Sequence, residues 1–400
     1  MRFPEFTEEW ETKKLGEILE FKNGINATKE QYGSGYKFIN VLDILNNEFI
    51  TYDKIIGSVN VNEEIIDKFP VNYGDILFQR SSETREEVGT TSVYLDKDKT
   101  ATFGGFVIRG KKNGEYEPIF LNKSLKTDLI RNQITSKSGG STRYNIGQEI
   151  LASVTLPLPS LNEQTKIASF LSLIDSRIQT QNKIIEQLET LIKGISEKVF
   201  SQKIRFREFS GDWELKKLGE VFYSEKGKGL SKDRLILNGK YECVLYGELY
   251  TKYKEVIFNI VSKTNENDGL KSQIGDLLIP SSTTTTGIDL ANVTAINKEN
   301  VLLGGDITVL RSRKKINNVF YAYYLSNYKK EKIASYAQGS TIVHLYYSHI
   351  KDMLIDFPSY EEQDTISQFL SSVDTKIQIE KNILNKYLYQ KQYLLQKLFI

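Results

Sequence analysis

The sequence predicts an α+β fold: two pseudo-symmetric mixed α/β domains separated by two long antiparallel α-helices that form a coiled coil. The first observation behind this is a repeat at about half the chain length. Residues 2–17 (RFPEFTEEWETKKLGE) return as 205–220 (RFREFSGDWELKKLGE), identical at eleven of sixteen positions. Residues 159–179 (PSLNEQTKIASFLSLIDSRIQ) return as 358–378 (PSYEEQDTISQFLSSVDTKIQ), identical at eleven of twenty-one. The second observation is that the text between these matched ends diverges almost completely. The third is an apolar seam of heptad spacing after each closing repeat. The expected boundaries are a first domain over 1–158, a helix over 159–202, a second domain over 203–357 and a helix over 358–400. A frame kept twice around a filling that varies twice is built to present two different readers.

Inside each domain the pattern alternates between strands and polar turns. Tyr73-Gly74-Asp75-Ile76-Leu77-Phe78 and Ile274-Gly275-Asp276-Leu277-Leu278-Ile279 read as a turn feeding a buried strand. The first strand runs into Gln79-Arg80-Ser81-Ser82-Glu83-Thr84-Arg85, the second into Pro280-Ser281-Ser282-Thr283-Thr284-Thr285-Thr286. Gly104-Gly105 and Gly304-Gly305 precede further strands over 106–109 and 307–311. A helix follows in each domain, over 119–136 and 318–337. It ends in Gly139-Gly140-Ser141-Thr142-Arg143 or in Gln338-Gly339-Ser340-Thr341.

These polar segments are rich in hydroxyl and amide groups and hang from what should be rigid strands. Such loops suit contacts to phosphates and base edges, where Arg reads guanine and Gln or Asn reads adenine. Gln79, Arg80 and Arg85 are the chief candidates for base contact in the first domain, with Ser81, Ser82, Thr142 and Arg143 beside them. In the second domain the candidates are Ser281, Ser282, Thr283, Thr284, Ser340 and Thr341. Lys226 and Lys228, either side of Gly227, are expected at phosphates. Ordinary surface turns share this composition, and Gly139-Gly140 and Gly339 read equally well as helix C-caps.

The closing repeats start the long helices. Ser160 and Ser359 are each followed three residues later by a glutamate, Glu163 and Glu362, the spacing of a capping box. Apolar residues then recur at steps of four and three: Ile167, Leu171, Ile174, Ile178, then Gln181, then Ile185 to Val199. A shift of 199 gives Ile366, Leu370, Val373, Ile377, then Glu380, then Leu384 to Leu398. A helix over 160–200 is roughly 60 Å long at 1.5 Å per residue. Its seam would lie in water unless the two copies packed on each other. Antiparallel pairing is the simplest arrangement, with Gln181 and Glu380 as polar positions that fix register. Glu163, Gln164, Glu362 and Gln363 at the helix starts are expected to serve packing or partner binding. The alternative is that each helix packs on its own domain or mediates homodimerisation.

Composition excludes several classes. One cysteine, Cys243, rules out an internal disulfide and suits a reducing compartment. The first residues carry acids and no apolar core of a signal peptide, and no run of about 18 apolar residues could span a bilayer. The expected location is the cytoplasm. The net charge of +2 is not that of a strong nucleic-acid binder acting alone. By segment, 1–158 carries 20 basic and 23 acidic residues, and 203–357 carries 23 and 18. DNA binding must therefore come from local patches or from a partner that adds positive charge. There is no G-x-x-x-x-G-K-[ST] phosphate loop. The seven prolines are never adjacent, so the Pro-Pro pair of amino-methyltransferase sites cannot be present. His344 and His349 have no cysteine near them, which argues against zinc. Nothing favours a catalytic role for the chain itself.

Together these features resemble the specificity subunit of type I restriction–modification systems. The opening motif is Trp10-Glu11-Thr12-Lys13-Lys14-Leu15-Gly16-Glu17, repeated at 213–220. The closing motif is Pro157-Leu158-Pro159-Ser160-Leu161-Asn162-Glu163-Gln164, repeated more loosely at 357–363. The resemblance covers the whole chain. It implies that each domain reads one half of a bipartite double-stranded DNA site, and that the helices set half-site separation and dock two methyltransferase subunits. Those partners would carry S-adenosylmethionine and methylate adenine. Two further motor-nuclease subunits would use ATP and Mg²⁺, and this chain would hold no cofactor. The competing expectation is a non-enzymatic coiled-coil scaffold that holds two protein-binding domains.

Overall fold

The computed structural model describes residues 2–140 and 142–399. The chain divides into two compact units, Met1–Asn182 with Ile383–Ile400, and Lys183–Asn382.

The first unit is built on a five-stranded sheet in the order Leu19–Asn23, Val107–Lys112, Ile76–Gln79, Thr91–Tyr94, Phe49–Ile50. All neighbours are antiparallel except the last, which adds in parallel. The second unit repeats this with four antiparallel strands, Phe222–Lys226, Ile307–Ser312, Asp276–Pro280 and Thr294–Ile296. The central strands read as unbroken apolar runs because both faces are covered. Ile76 and Phe78 point into one core cluster and Leu77 into another. Leu277 and Ile279 split from Leu278 in the same way, as the two-residue period of a strand requires.

The Gly-Asp pair before each central strand is a turn. Gly74 and Gly275 sit at φ +92° and +96°, a region open to glycine. The Asp75 carboxylate accepts from the Asn72 and Lys112 amides at 2.9 Å. Asp276 accepts from the Gln273 amide and from Arg311, at 2.9, 3.0 and 3.2 Å.

The repeated frame is a pair of neighbours in space. Glu11–Lys14 pairs antiparallel with Thr155–Leu158, and Glu214–Lys217 with Leu354–Phe357. Each globular region is thus tied shut by its first and last strands, and Leu15 and Leu218 are fully buried just after them.

The single helix expected over 119–136 is two, Pro118–Ser124 and Asp128–Lys137. Thr127 is extended between them and donates its hydroxyl to Ser124 O at 2.7 Å. Its counterpart is also interrupted, into Asn318–Tyr323, a π turn over Tyr324–Tyr328, and Lys330–Ala334. The wide turn is closed by the Lys329 amide on Tyr324 O. Phe320, Tyr321, Tyr323 and Tyr324 are all buried along this stretch.

The long helices run over Leu161–Phe200 and Tyr360–Leu398. Only half of each expected capping box forms. Ser160 and Ser359 accept the Glu163 and Glu362 amides at 3.5 and 3.2 Å. The glutamates do not reach back to the cap. Glu163 takes both arms of Arg2 at 2.7 Å, and Glu362 takes Arg205 at 2.7 and 2.8 Å. A bidentate guanidinium outcompetes a single backbone amide for a buried carboxylate. Gln164 accepts the Glu117 amide and donates to Pro159 O, at 2.9 and 2.8 Å. Gln363 does the same with Asn317 and Pro358, at 2.9 Å each. The repeated Glu-Gln therefore ties each opening arm and each inner helix to the start of a long helix.

Both expected modes of helix packing occur. In the first unit Ile167, Leu171 and Ile174 join the core of the globular region, and so do Leu394 and Leu398 from the other helix and Phe399 just after it. In the second unit Val199 and Phe200 meet Ile366 and Leu370 in one cluster. The helices run antiparallel: Asp175 pairs with Lys391 at 2.7 Å in the first unit, and Glu189 with Lys381 at 2.7 Å in the second. Along the seam Ile185 and Ile377 are buried, and Ile178, Val373 and Leu384 are half-buried. Gln181 and Glu380 are also buried, with the Lys376 ammonium 2.5 Å from Glu380.

Candidate nucleic-acid interface

Each unit brings its polar loops together at one end of the central strand, with the same hydrogen bonds. In the first, the Arg80 amide donates to Phe106 O at 2.9 Å and Arg80 O accepts from Ile146 at 3.0 Å. In the second, the Ser281 amide donates to Asp306 O at 2.7 Å and Ser281 O accepts from Leu345 at 3.0 Å. Two-residue ladders then zip the loops: Ser81–Ser82 with Tyr144–Asn145, and Ser282–Thr283 with Val343–His344. Sequence-distant segments are so clamped into one three-loop cluster per unit.

The glycines after the inner helices do not cap them. Gly139 and Asn145 exchange both backbone hydrogen bonds, and Gln338 and His344 do likewise, which makes each segment a hairpin. Gly140 and Gly339 lie at its bend with φ +125° and +122°. A Cβ there would lie 1.9 or 2.0 Å from the carbonyl oxygen of Arg143 or Ile342. Ser141 lies outside the described residues.

A fourth loop joins on the sheet edge. Gly24 and Gly227 donate to Val107 O and Ile307 O at 3.2 and 2.8 Å. A Cβ on either would stand 2.2 or 2.0 Å from the oxygen of Gly104 or Gly304. Gly227→Ala should therefore push the Lys226–Lys228 loop off the Gly304 turn. The expected cost is about 1–3 kcal/mol, read by denaturant unfolding. An unchanged midpoint would show that the turn yields freely.

The candidate side chains divide into braces and exposed groups. Gln79, Ser82, Ser281, Ser282 and Thr283 are buried. Gln79 donates to Ser81 O at 3.0 Å, and Ser82 to Glu87 at 2.9 Å. Ser281 pairs with Thr308 at 2.7 Å, and Ser282 donates to Asp306 at 3.1 Å. Thr283 meets Thr285 at 2.7 Å. These five hold the loops in shape. Arg80 and Ser81 are half-buried, and the Arg80 guanidinium donates to Gly105 O at 3.2 Å. Arg85 is exposed but engaged: it donates to Thr135 O at 3.0 Å and Ser136 O at 3.4 Å, and lies over Tyr144. It serves as a cationic cap on the helix Asp128–Lys137. Arg143 faces solvent beside Glu83 at 3.4 Å. Lys226 and Lys228 are exposed, 3.9 Å from Asp306 and 3.5 Å from Asp268. Thr142, Thr284, Ser340 and Thr341 are exposed.

The loops carry one group that the sequence reading missed. The His344 and Tyr346 rings stack at 5.5 Å with 16° between planes, His349 meets Tyr346 edge-on, and Lys226 lies 6.0 Å over Tyr346. Flat rings beside a cation suit bases and phosphates. The available signal was His344 and Tyr346 on alternate positions just after the Gly339-Ser340-Thr341 bend.

The family described as type I restriction modification DNA specificity domain matches residues 7–190 and again 210–387. The chain belongs to this family. It carries the specificity domain twice, as the repeat requires. A putative type I restriction enzyme specificity subunit, MjaX of Methanocaldococcus jannaschii, is 28% identical over 393 residues, 94% of this chain and 89% of that one. The MjaVIII specificity subunit of the same organism is 25% identical over 94% of this chain and 88% of its own. Among solved structures, the type I S subunit from M. genitalium aligns over 98% of this chain and 96% of its own, with TM-score 0.59 and 20% identity. A second, described in work on assembly and conformational transition of the type I restriction–modification system, aligns over 98% of both chains with TM-score 0.60 and 16% identity. The specificity-subunit fold is thus shared across low sequence identity. No helix among the described residues is long and apolar enough to cross a membrane.

Proposed function

We propose that each unit of this specificity subunit reads one half of a bipartite double-stranded DNA site, while the long helices set the half-site separation and dock two methyltransferase subunits. Methylation and cleavage belong to partners in this reading: S-adenosylmethionine sits on the methyltransferases, and ATP and Mg²⁺ on two motor-nuclease subunits. This chain contributes recognition and no catalysis, and acts in the cytoplasm. The supporting observation is the loop cluster at the end of each central strand, where the same backbone bonds hold Arg80 and Tyr144-Asn145 in one unit but Ser281 and Val343-His344 in the other. A fixed clamp with a variable face lets one scaffold present two specificities. Near-neutral charge fits a reader whose partners share the DNA. The test is a swap of residues 20–156 for those of a relative, followed by mapping of methylated adenines. One half-site should change, and the other half-site and the spacing should stay. A change in both halves would overturn independent reading.

A further inference from the structure

In both units a glycine pair leads into the strand beside the central one, and the next residue is Phe106 in one and Asp306 in the other. Their carbonyls accept the equivalent amides, Arg80 and Ser281, so the two residues occupy one structural position with opposite chemistry. Phe106 is 64% exposed, although Val107 and Ile108 after it are fully buried. It borders Gly105, whose carbonyl holds the Arg80 guanidinium. Asp306 has φ +60°, a left-handed conformation that residues other than glycine seldom adopt. Its carboxylate is oriented by Ser282, which donates to Oδ2 at 3.1 Å, while Oδ1 has the exposed Lys226 ammonium 3.9 Å away.

Neither side chain suits a phosphate. Phenylalanine offers it nothing, and a carboxylate repels it. Both suit base edges in the major groove, where an apolar ring packs on the thymine methyl and Asp accepts from the cytosine N4 amino group. An acceptor fixed by a hydroxyl, with the exposed Lys226 beside it to take a neighbouring phosphate, has the organisation of a reading group. We infer that the residue after the glycine pair reads a base in each domain: Phe106 a thymine in the first half-site, Asp306 a cytosine in the second. This rests on the half-site reading above.

The test uses the full chain assembled with a methyltransferase partner, and duplexes that vary each position of the mapped site. Asp306→Asn keeps an acceptor for Ser282 and a residue tolerant of positive φ. It should lower the preference for cytosine at one base pair of the second half-site by roughly ten- to a hundredfold and leave the first half-site intact. Phe106→Ala should do the converse at a thymine, by roughly tenfold. Deoxyuridine in place of that thymine should weaken the unaltered protein to a similar degree, and should have no further effect on Phe106→Ala. The deoxyuridine effect on the unaltered protein is read without any variant, so it does not depend on whether Phe106→Ala folds. An equal loss on all sequences, or no loss with deoxyuridine at any thymine of the first half-site, would overturn the assignment. An unaltered complex with no sequence preference at all would instead overturn the half-site reading.

Discussion

Asp175→Asn should destabilise the first unit by about 3 kcal/mol, the low end of the cost of removing one partner from a buried ion pair, because only Lys123 of the cluster is fully covered. Its counterpart Asp374→Asn should cost only about 0.5–1.5 kcal/mol, because the amide oxygen can still accept the same hydrogen bond. The two aspartates occupy matching positions in the closing repeats, but their surroundings differ in charge. The Lys123 ammonium is almost fully buried and bonds both Asp175 and Glu48, the latter at 2.7 Å. Lys391 of the second long helix adds to Asp175 at 2.7 Å and Glu48 at 3.6 Å, and Lys126 lies 3.6 Å from Glu48. Without the Asp175 charge, three lysines face Glu48 alone. In the second unit Tyr323 replaces Lys123, and its neutral hydroxyl donates to Asp374. Burial already pushes the Asp374 carboxyl above its ordinary range, so losing that charge matters less.

The cluster also fixes a pH signature. Burial acts to raise the Glu48 carboxyl, but Lys126, Lys123 and Lys391 outweigh it and hold the group down to about 2. A depressed carboxyl stabilises fully above its ordinary value of 4.5 and loses that contribution as pH falls towards 2. Lys391 is raised above 10.5 against the pull of burial, so its contribution holds below that pH and fades only above it. Denaturant unfolding of both variants at pH 7 and pH 3 gives the check. The unaltered chain should lose part of the cluster's contribution at the lower pH, as the depressed Glu48 carboxylate begins to take up its proton. Equal costs for the two aspartates at pH 7 would mean that the lysine cluster does not hold the helices to the first region.

The frame was legible in the sequence because repetition carries its own evidence. Leu15, Leu218 and the Glu-Gln pairs recur at matching offsets and perform matching tasks. The central strands were legible from their apolar runs. What the pattern could not show was competition between partners. Glu163 has capping-box spacing, yet Arg2, 161 residues away, wins its carboxylate. Likewise Gly140 and Gly339 follow helices, but their positive φ serves hairpins closed by residues not yet reached in the chain. At the loops, polar composition marked segments that do cluster at the strand ends, without separating braces from exposed groups. Gln79 and Arg80 are adjacent, and strand alternation sends the first into the core and leaves the second half in solvent. Phe106, an apolar residue in a surface loop, gave no polar signal at all.

Four residues added to both long helices, after Gln181 and after Glu380, should lengthen the preferred spacer between half-sites by one or two base pairs. Four residues extend a helix by roughly 6 Å, and a base pair advances the duplex by about 3.4 Å. Four residues also make a little more than one helical turn, about 40° in excess, so the seam is rotated only slightly and the coiled coil absorbs it as a local unwinding. Inserting in both helices keeps the pairing in step beyond the inserted stretch, with Asp175 against Lys391 in one unit and Phe200 beside Ile366 in the other. An insertion in one helix alone shifts one set of these pairs by a full turn. It should damage folding or partner docking rather than change the spacer. The half-sites themselves should not move, because the loop clusters are held by bonds within each unit. Mapping methylated adenines in a host expressing the double-insertion variant with its partner gives both readings at once. An active variant with its original spacer would mean that the helices join the units without measuring the distance between the two half-sites.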